Sequence, residues 1–104
     1  MKIAFVSAPA EEANGLARRV VESGIAACVN VIFGVTSHYQ WNGEMHHDSE
    51  ALLIAKVADD RADEFVTRMI AWHSYQNPEV ILTEVTGGSP DYLAWVNNPH
   101  GSQE

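Results

Sequence analysis

The spacing of hydrophobic residues in the first third of the chain alternates between strand and helix patterns. Residues 2–8 are rich in β-forming side chains and end at Pro9, so they predict a first strand. Residues 11–23 place apolar side chains at i, i+3 and i+4 on one face, which predicts a helix that ends at Gly24. Residues 25–33 form a short β-branched run, which predicts a strand buried on both faces.

A hairpin is predicted after this strand. Asn42 and Gly43 tolerate the two positive φ angles of a type I′ turn better than other residues do. The return strand continues through residues 51–57. Taken as a two-residue loop, the turn fixes which residues face each other across the strands: Trp41 and Glu44, Tyr39 and His46, and His38 and His47.

The second half of the chain repeats the order of helix and strand. Asp59 or Asp60 is predicted to cap a second helix. Residues 74–78 are predicted to form a loop, residues 79–86 a fourth strand, and residues 87–88 a turn. Ser89 and Pro90 suit the N-cap and first position of a short closing helix. The second helix has an apolar stripe at Ala62, Phe65, Val66, Met69, Ile70 and His73.

This element order predicts an α+β fold. Two strand-helix-strand units with right-handed crossovers give a ferredoxin-like βαββαβ sandwich, in which both helices cover one face of a four-stranded antiparallel sheet. We expect a single domain over residues 1–104, with a long hairpin between the second and third strands and a flexible tail from about residue 98. The other face of the sheet has no helix to cover it, so the pattern predicts self-association.

Composition narrows the possible partners. Six basic residues against fourteen acidic ones give a net charge of −8, and Arg18 and Arg19 are the only adjacent basic pair. Nucleic acids and anionic membranes are therefore disfavoured, because cationic side chains supply most of the binding to phosphates. No apolar run approaches the ~20 residues of a membrane span. Cys28 is the only cysteine, which fits a reducing compartment, and we infer a cytoplasmic protein.

Four blocks of residues share their order and spacing with one known family. The first block reads Ile-Ala-Ala-Cys-Val-Asn over residues 25–30 and continues with Gly34, Ser37, Tyr39, Trp41 and Gly43. The later blocks are Glu50 with Lys56, then His73, Tyr75, Pro78 and Glu79, then Tyr92, Leu93 and Trp95. Over about residues 3–96 the chain resembles the divalent-cation tolerance proteins called CutA. The resemblance implies a homotrimer that binds a divalent metal such as copper or zinc weakly, or at the seams between subunits.

The chain departs from the family pattern at four positions. Ser74 stands where the family usually has a proline after the histidine, and Phe33 stands where it has a proline before the glycine of the first block. Some relatives proposed to bind copper carry a cysteine at the position of Val6 and a histidine at the position of Trp72. Of that copper set, this chain keeps only Glu79.

Five residues are candidates for a site. His73 and Glu79 flank a short loop, and an imidazole and a carboxylate together suit a divalent metal. A histidine that completes an apolar stripe is alternatively a packed core residue. Glu50 and Lys56 share one strand face and are candidates to point into a pocket between subunits, or to be ordinary surface charges. Tyr75 is a candidate to donate a hydrogen bond to a ligand, or to stabilise a subunit seam.

The hairpin offers a separate hypothesis for metal binding. His38 and His47 are predicted cross-strand neighbours and could chelate a divalent cation, while His46, Asp48 and Glu50 share the opposite face. The alternative is a solvated polar edge that protects the sheet from aggregation.

The sequence contains no recognisable motif of a catalytic site. Gly87 and Gly88 are not followed by the Lys-Ser/Thr of a phosphate loop, and no G-x-S-x-G elbow is present. We therefore predict a protein that is not an enzyme. The alternative to a metal-tolerance protein is a signalling module similar in architecture to the nitrogen-regulatory PII proteins, which place small ligands in clefts between three subunits. A trimeric scaffold is a third possibility.

Overall fold

The computed structural model describes residues 1–99 and contains four strands and three α-helices. The strands are β1 (Lys2–Ala8), β2 (Cys28–Trp41), β3 (Glu44–Val57) and β4 (Val80–Glu84). The helices are α1 (Ala10–Glu22), α2 (Ala62–Trp72) and α3 (Pro90–Asn97), and a 3₁₀ turn (Asp59–Arg61) precedes α2. The sheet order is β2-β3-β1-β4 and the strand pairs are antiparallel, so the ferredoxin-like prediction is confirmed.

The core lies between the sheet and helices α1 and α2. The sheet contributes small and branched side chains from alternate positions of β1 and β3, such as Val6, Leu53 and Val57. The helices contribute Phe65 and Met69, both fully buried. Four alanines on the buried face of β1 and β3 let the helices approach closely: Ala4, Ala8, Ala51 and Ala55.

The end of α1 follows the sequence prediction. Gly24 has a φ of 80°, and the N–H of Ile25 donates to the carbonyl of Val20 across it. This arrangement satisfies a carbonyl of the last helical turn, and glycine adopts its conformation at little cost.

The start of α2 corrects the sequence prediction. Neither Asp59 nor Asp60 caps this helix, because both lie in the preceding 3₁₀ turn and the N-cap of α2 is Arg61. Asp59 instead pairs with the α-amino group of Met1 at 2.9 Å. The Asp59 carboxylate therefore binds the α-amino group that precedes β1 and not the N–H groups of the helix N-terminus.

The predicted apolar stripe of α2 is wrong at Ile70, which is 51% exposed. His73 is buried, as the stripe predicts, although it lies one residue beyond the helix in an extended conformation. The predicted fourth strand is also shorter than expected, because β4 covers only Val80–Glu84.

Strand β2 differs from its prediction because it lies at the edge of the sheet. It is paired only with β3, and none of its residues is buried on both faces. The buried residues of the predicted strand are Ile25 and Ala26, which precede β2. Asn42 and Gly43 have φ angles of 53° and 80°, and each cross-strand pair predicted from their turn is present.

The sheet face away from α1 and α2 carries apolar side chains that remain accessible. Phe5 faces Ile54 on one side and Ile81 on the other, and Ile32 faces Leu52. We call this surface the open face. Its outer members, Ile32 and Ile81, are 45% and 55% exposed.

The closing helix α3 starts as predicted, with Ser89 at the N-cap position and Pro90 in the first turn. Asn97 ends the helix, and the N–H of Asn98 donates to the carbonyls of Ala94 and Trp95. The rest of the predicted flexible tail, from residue 100, lies outside the described residues. Within residues 1–99, the helices are too short or too polar to cross a lipid bilayer.

Candidate functional site

A cleft of about 830 Å³ lies where the hairpin meets the loop between α2 and β4. Its lining contains three carboxylates and no lysine or arginine. Six of its polar residues are joined in pairs by side-chain hydrogen bonds, and His38 also lines the cleft. The six are Ser7, Tyr39, Asp48, Glu50, Tyr75 and Glu79.

A β-bulge in β2 directs one face of the hairpin into this cleft. Ile32 pairs with Leu52 but Val35 pairs with Glu50, so Phe33 and Gly34 together face a single residue of β3. Gly34 has a φ of 80°, which a bulge of this kind requires and glycine accepts. The extra residue breaks the alternation of β2, so that both Ile32 and Val35 lie on the open-face side of the sheet.

Glu50 and Tyr75 form the most buried contact of the cleft. The Tyr75 hydroxyl donates to Glu50 Oε2 at 2.6 Å, and Glu50 is only 6% exposed. Burial raises the pKa of Tyr75, and the hydrogen bond to Glu50 and the charges of Glu50 and Asp48 raise it further. The phenol therefore stays protonated and serves as a donor in this negative environment.

The other two carboxylates also accept from neutral hydroxyl groups. Tyr39 donates to Asp48 Oδ2 at 2.5 Å, and this hydrogen bond is the main reason that the pKa of Tyr39 is raised. Ser7 Oγ donates to Glu79 Oε1 at 3.3 Å. None of the three carboxylates takes part in an ion pair with another described residue, so their charge is not neutralised by a cationic side chain.

His73 lies beside the cleft with both ring nitrogens engaged. Nδ1 accepts the backbone N–H of Tyr75 at 3.1 Å, and Nε2 lies 2.7 Å from the carbonyl oxygen of Ser7. Since Nδ1 is the acceptor, the proton is on Nε2 and is donated to that carbonyl. In this arrangement neither nitrogen has a lone pair free for a metal ion. His73 and Glu79 do not contact each other directly, because His73 binds the Ser7 carbonyl and Glu79 binds the Ser7 hydroxyl. That they form a metal pair stays a prediction.

Lys56 does not join the cleft of its own chain. Its ammonium group donates to Asn30 Oδ1 and lies 3.9 Å from Cys28 Sγ. Glu50 is six residues away on the same strand face, which corresponds to about 20 Å. The pair therefore occupies opposite ends of the open face, as the spacing predicts, and forms no ion pair.

His38 and His47 face each other across the hairpin, as predicted, with ring centroids 5.9 Å apart. His46 lies on the other face and stacks on Tyr39 with centroids 5.3 Å apart. Across the described part of the chain, no three His, Cys, Asp or Glu side chains are grouped closely enough to hold a metal ion.

Three cleft residues were missed by the sequence analysis as site residues: Ser7, Tyr39 and Asp48. The contact of Tyr39 with Asp48 could have been found, because the Asn-Gly turn places both on one face of the hairpin. The position of Ser7 in the cleft depends on where β1 ends relative to the α2–β4 loop. A short sequence pattern does not predict how two distant segments lie relative to each other.

The fold and the cleft define a class: an α+β protein with a ferredoxin-like sheet and an acidic cleft beside the outer half of a long hairpin. The sequence matches the family model of the CutA1 divalent ion tolerance protein over residues 2–99. The chain belongs to this family, and the predicted resemblance is confirmed.

Relatives from distant organisms support the assignment. The chain is 40% identical to the chloroplastic protein CutA of Arabidopsis thaliana over 92% of its own length, but spans only 53% of that protein. It is 35% identical to the divalent-cation tolerance protein CutA of Thermus thermophilus, and the match covers 96% of this chain and 98% of that one. The chain therefore spans about half the length of the plant relative and nearly all of the bacterial one.

Solved structures confirm the fold. The divalent cation tolerance protein of Thermus thermophilus superposes with a TM-score of 0.87 at 36% identity, covering 92% of this chain and 95% of that one. The PII-like protein CutA of Nostoc sp. PCC 7120 superposes with a TM-score of 0.89 at 35% identity, covering 92% and 93%.

Proposed function

We propose that the protein serves divalent-cation tolerance as a homotrimer that binds a divalent metal weakly through the carboxylates of the cleft. The observation that carries this proposal is the charge of the lining. Asp48, Glu50 and Glu79 converge on one cleft, and no lysine or arginine of the same chain lines it.

The carboxylates keep acceptor capacity for a cation. A carboxylate has about four lone-pair positions, and each of these three groups uses one for a neutral hydroxyl. The raised pKa values of Tyr39 and Tyr75 respond in part to the charges of Asp48 and Glu50. The potential in the cleft therefore favours positive charge.

Weak binding follows from the number and spacing of the ligands. The described residues of one chain hold no group of three side chains at metal-ligand spacing. An ion bound at Glu79 or Glu50 would complete its shell with water or with groups from a neighbouring copy. Coordination of copper or zinc by His73 Nδ1 would first require that its hydrogen bond with the Tyr75 N–H break. We therefore propose Glu79 as a metal ligand and His73 as a residue that positions its neighbours.

The trimer is supported by the surface that one chain exposes. The chain has 6457 Å² of accessible surface, whereas a compact monomer of its mass exposes about 5,800 Å². Its radius of gyration is 14.6 Å, against about 13 Å for a compact domain of its length. The long hairpin and the open face expose large apolar side chains, among them Trp41, Ile32 and Ile81. We propose that two further copies cover the open face, and the trimeric state itself rests on resemblance to the family.

A second candidate function is the sensing of a small ligand in clefts between subunits. The cleft volume falls within the range of about 300 to 1,000 Å³ that small-molecule sites occupy. One structural neighbour is described as a PII-like protein. In this alternative Tyr75 and Glu50 would orient the ligand, and Lys56 of an adjoining copy would be available to an anionic group. Neither candidate involves catalysis.

Calorimetric titration with Zn²⁺ and Cu²⁺ tests the first candidate. Glu79→Gln and Glu50→Gln are each expected to weaken binding because each removes a charge from the cleft. Glu22→Gln is the matched control, since Glu22 is an exposed carboxylate on α1 that pairs with Arg18. Equal weakening in all three variants would show only an effect of net charge and would contradict the proposal.

Absence of metal binding in the wild-type protein would also contradict the proposal. The second candidate then has its own assay, which is a thermal-shift screen of small anionic and nucleotide ligands. Stabilisation that is lost in Tyr75→Phe would support a ligand in the cleft.

A further inference from the structure

The hairpin has a second face, opposite the one that carries Tyr39 and Asp48, and this face carries two imidazoles and one soft thioether. His38 lies directly across from His47. Met45 precedes His47 by two residues, so its side chain lies on the same face, beside the histidine pair. All three residues are exposed, Met45 to 65%.

The spacing of the two imidazoles suits a shared metal ion. With metal–nitrogen bonds of about 2.0 Å, the centroids of two imidazoles on one ion lie about 5 to 6 Å apart, depending on the angle at the metal. The observed centroid separation is 5.9 Å, with the ring planes 33° apart. The separation therefore suits two imidazoles on one ion, once the side chains turn one ring nitrogen of each toward it.

Within residues 1–99, the ring nitrogens of His38 and His47 make no hydrogen bond or ion pair, whereas both nitrogens of His73 are held by backbone groups. A metal ion would therefore gain two ligands without breaking existing contacts, and the excess of acidic residues in the chain favours its approach.

We propose that His38, His47 and Met45 form a surface copper site that prefers Cu(I). Imidazole binds copper, zinc and nickel, whereas a thioether is a soft ligand that selects Cu(I) over harder divalent ions. The site differs from the cleft in chemistry, because the cleft offers carboxylate oxygens. His38 also lines the cleft, whereas His47 and Met45 do not. It does not depend on the proposed function of the cleft.

The test is an anaerobic titration of the full chain with Cu(I) in competition with a chromophoric Cu(I) chelator. The protein carries Cys28→Ser, so that the only thiol does not compete. The variants are His38→Gln, His47→Gln and Met45→Leu. His46→Gln is the matched control, since it changes an adjacent histidine on the other face of the same strand.

Loss of either histidine of the pair is expected to weaken Cu(I) binding by at least about tenfold, because even outer-shell changes cost about 10- to 100-fold in metal affinity. Met45→Leu is expected to weaken Cu(I) similarly while leaving Ni²⁺ binding within about twofold, and to remove the copper–sulfur signal from X-ray absorption spectra. His46→Gln should leave Cu(I) binding unchanged.

Two results would overturn the proposal. One is Cu(I) affinity that is unchanged in His47→Gln, which would place the ion elsewhere. The other is an equal loss in His46→Gln and His47→Gln, which would indicate non-specific binding by exposed histidines. Persistence of a Cu–S signal in Met45→Leu would remove the thioether from the site, and with it the preference for Cu(I).

Discussion

Replacement of Ile81 by aspartate tests whether the open face is the surface that joins the copies. Ile81 is 55% exposed on β4 and faces Phe5 of the same surface. Because more than half of the side chain is exposed in the isolated chain, Ile81→Asp should leave the subunit folded. In a trimer that buries the open face, the same change places an unpaired carboxylate in an apolar interface.

The expected magnitude follows from burial. Completing the burial of an isoleucine that is already about half covered contributes about 1 kcal/mol. Burying an unpaired carboxylate costs several kcal/mol, taken here as about 3. The combined change of about 4 kcal/mol corresponds to about a thousandfold loss of affinity for each substituted copy. Three copies carry the change, so the assembly should dissociate at micromolar concentration.

Sedimentation velocity measures the outcome. The wild-type protein is expected at about 34 kDa, three times the chain mass of 11.4 kDa, and Ile81→Asp at the mass of one chain. Ile70→Asp is the control, because Ile70 is the same residue type at 51% exposure but lies on α2, away from the open face. The reasoning would be refuted by a wild-type protein that sediments as one chain, or by equal dissociation of both variants.

Three further predictions concern stability and ionisation. Phe65→Ala should lower the free energy of unfolding by about 3 to 5 kcal/mol, because Phe65 is fully buried; Ile70→Ala should change it far less, and both are measured by denaturant titration. Gly15→Ala, at an exposed position of helix α1, should stabilise the protein by about 0.5 to 1 kcal/mol. Gly43→Ala should destabilise it by about 1 to 2 kcal/mol because the φ of Gly43 is 80°, and unchanged stability in Gly43→Ala would contradict the turn geometry. The folded-state pKa of Tyr75 is raised, so the protonated phenol contributes fully to stability below about pH 10, and this contribution is lost as the pH rises further. Absorbance titration should show a tyrosine ionisation at high pH that is absent in Tyr75→Phe.

The element order could be predicted from the sequence because each element has a local cause. The Asn-Gly turn alone fixed three cross-strand pairs, since a two-residue loop has one favoured geometry and register follows from it. The helix end at Gly24 likewise depends on a few adjacent residues. These features need no information about distant parts of the chain.

The faces of β2 could not be predicted in the same way. Simple alternation from Val29 and Val31, which pack on the core, would put Tyr39 on the helix side of the sheet. The bulge at Phe33 and Gly34 reverses this assignment. A glycine within a strand signals a bulge only weakly, because it is equally compatible with a turn or a flexible edge.

The expectations for α2 failed for a tertiary reason. Helical periodicity assigned Ile70 to the core, but the residue is half exposed in the last turn of the helix. Asp59 was assigned to a helix cap on propensity, but its carboxylate pairs with the charged α-amino group of Met1 at 2.9 Å. The local preference was overridden by a group that is distant in the sequence.

His73 explains why the cleft carboxylates lie where they do, whether or not a metal ion reaches them. Its Nε2 proton is donated to the carbonyl of Ser7, and the Ser7 hydroxyl is donated to Glu79. Its Nδ1 accepts the N–H of Tyr75, and the Tyr75 hydroxyl is donated to Glu50. One buried imidazole thus connects β1, the α2–β4 loop and β3, and two carboxylates are held at the ends of these two chains of hydrogen bonds. A histidine suits this position because its neutral imidazole accepts a backbone N–H on one ring nitrogen while it donates from the other.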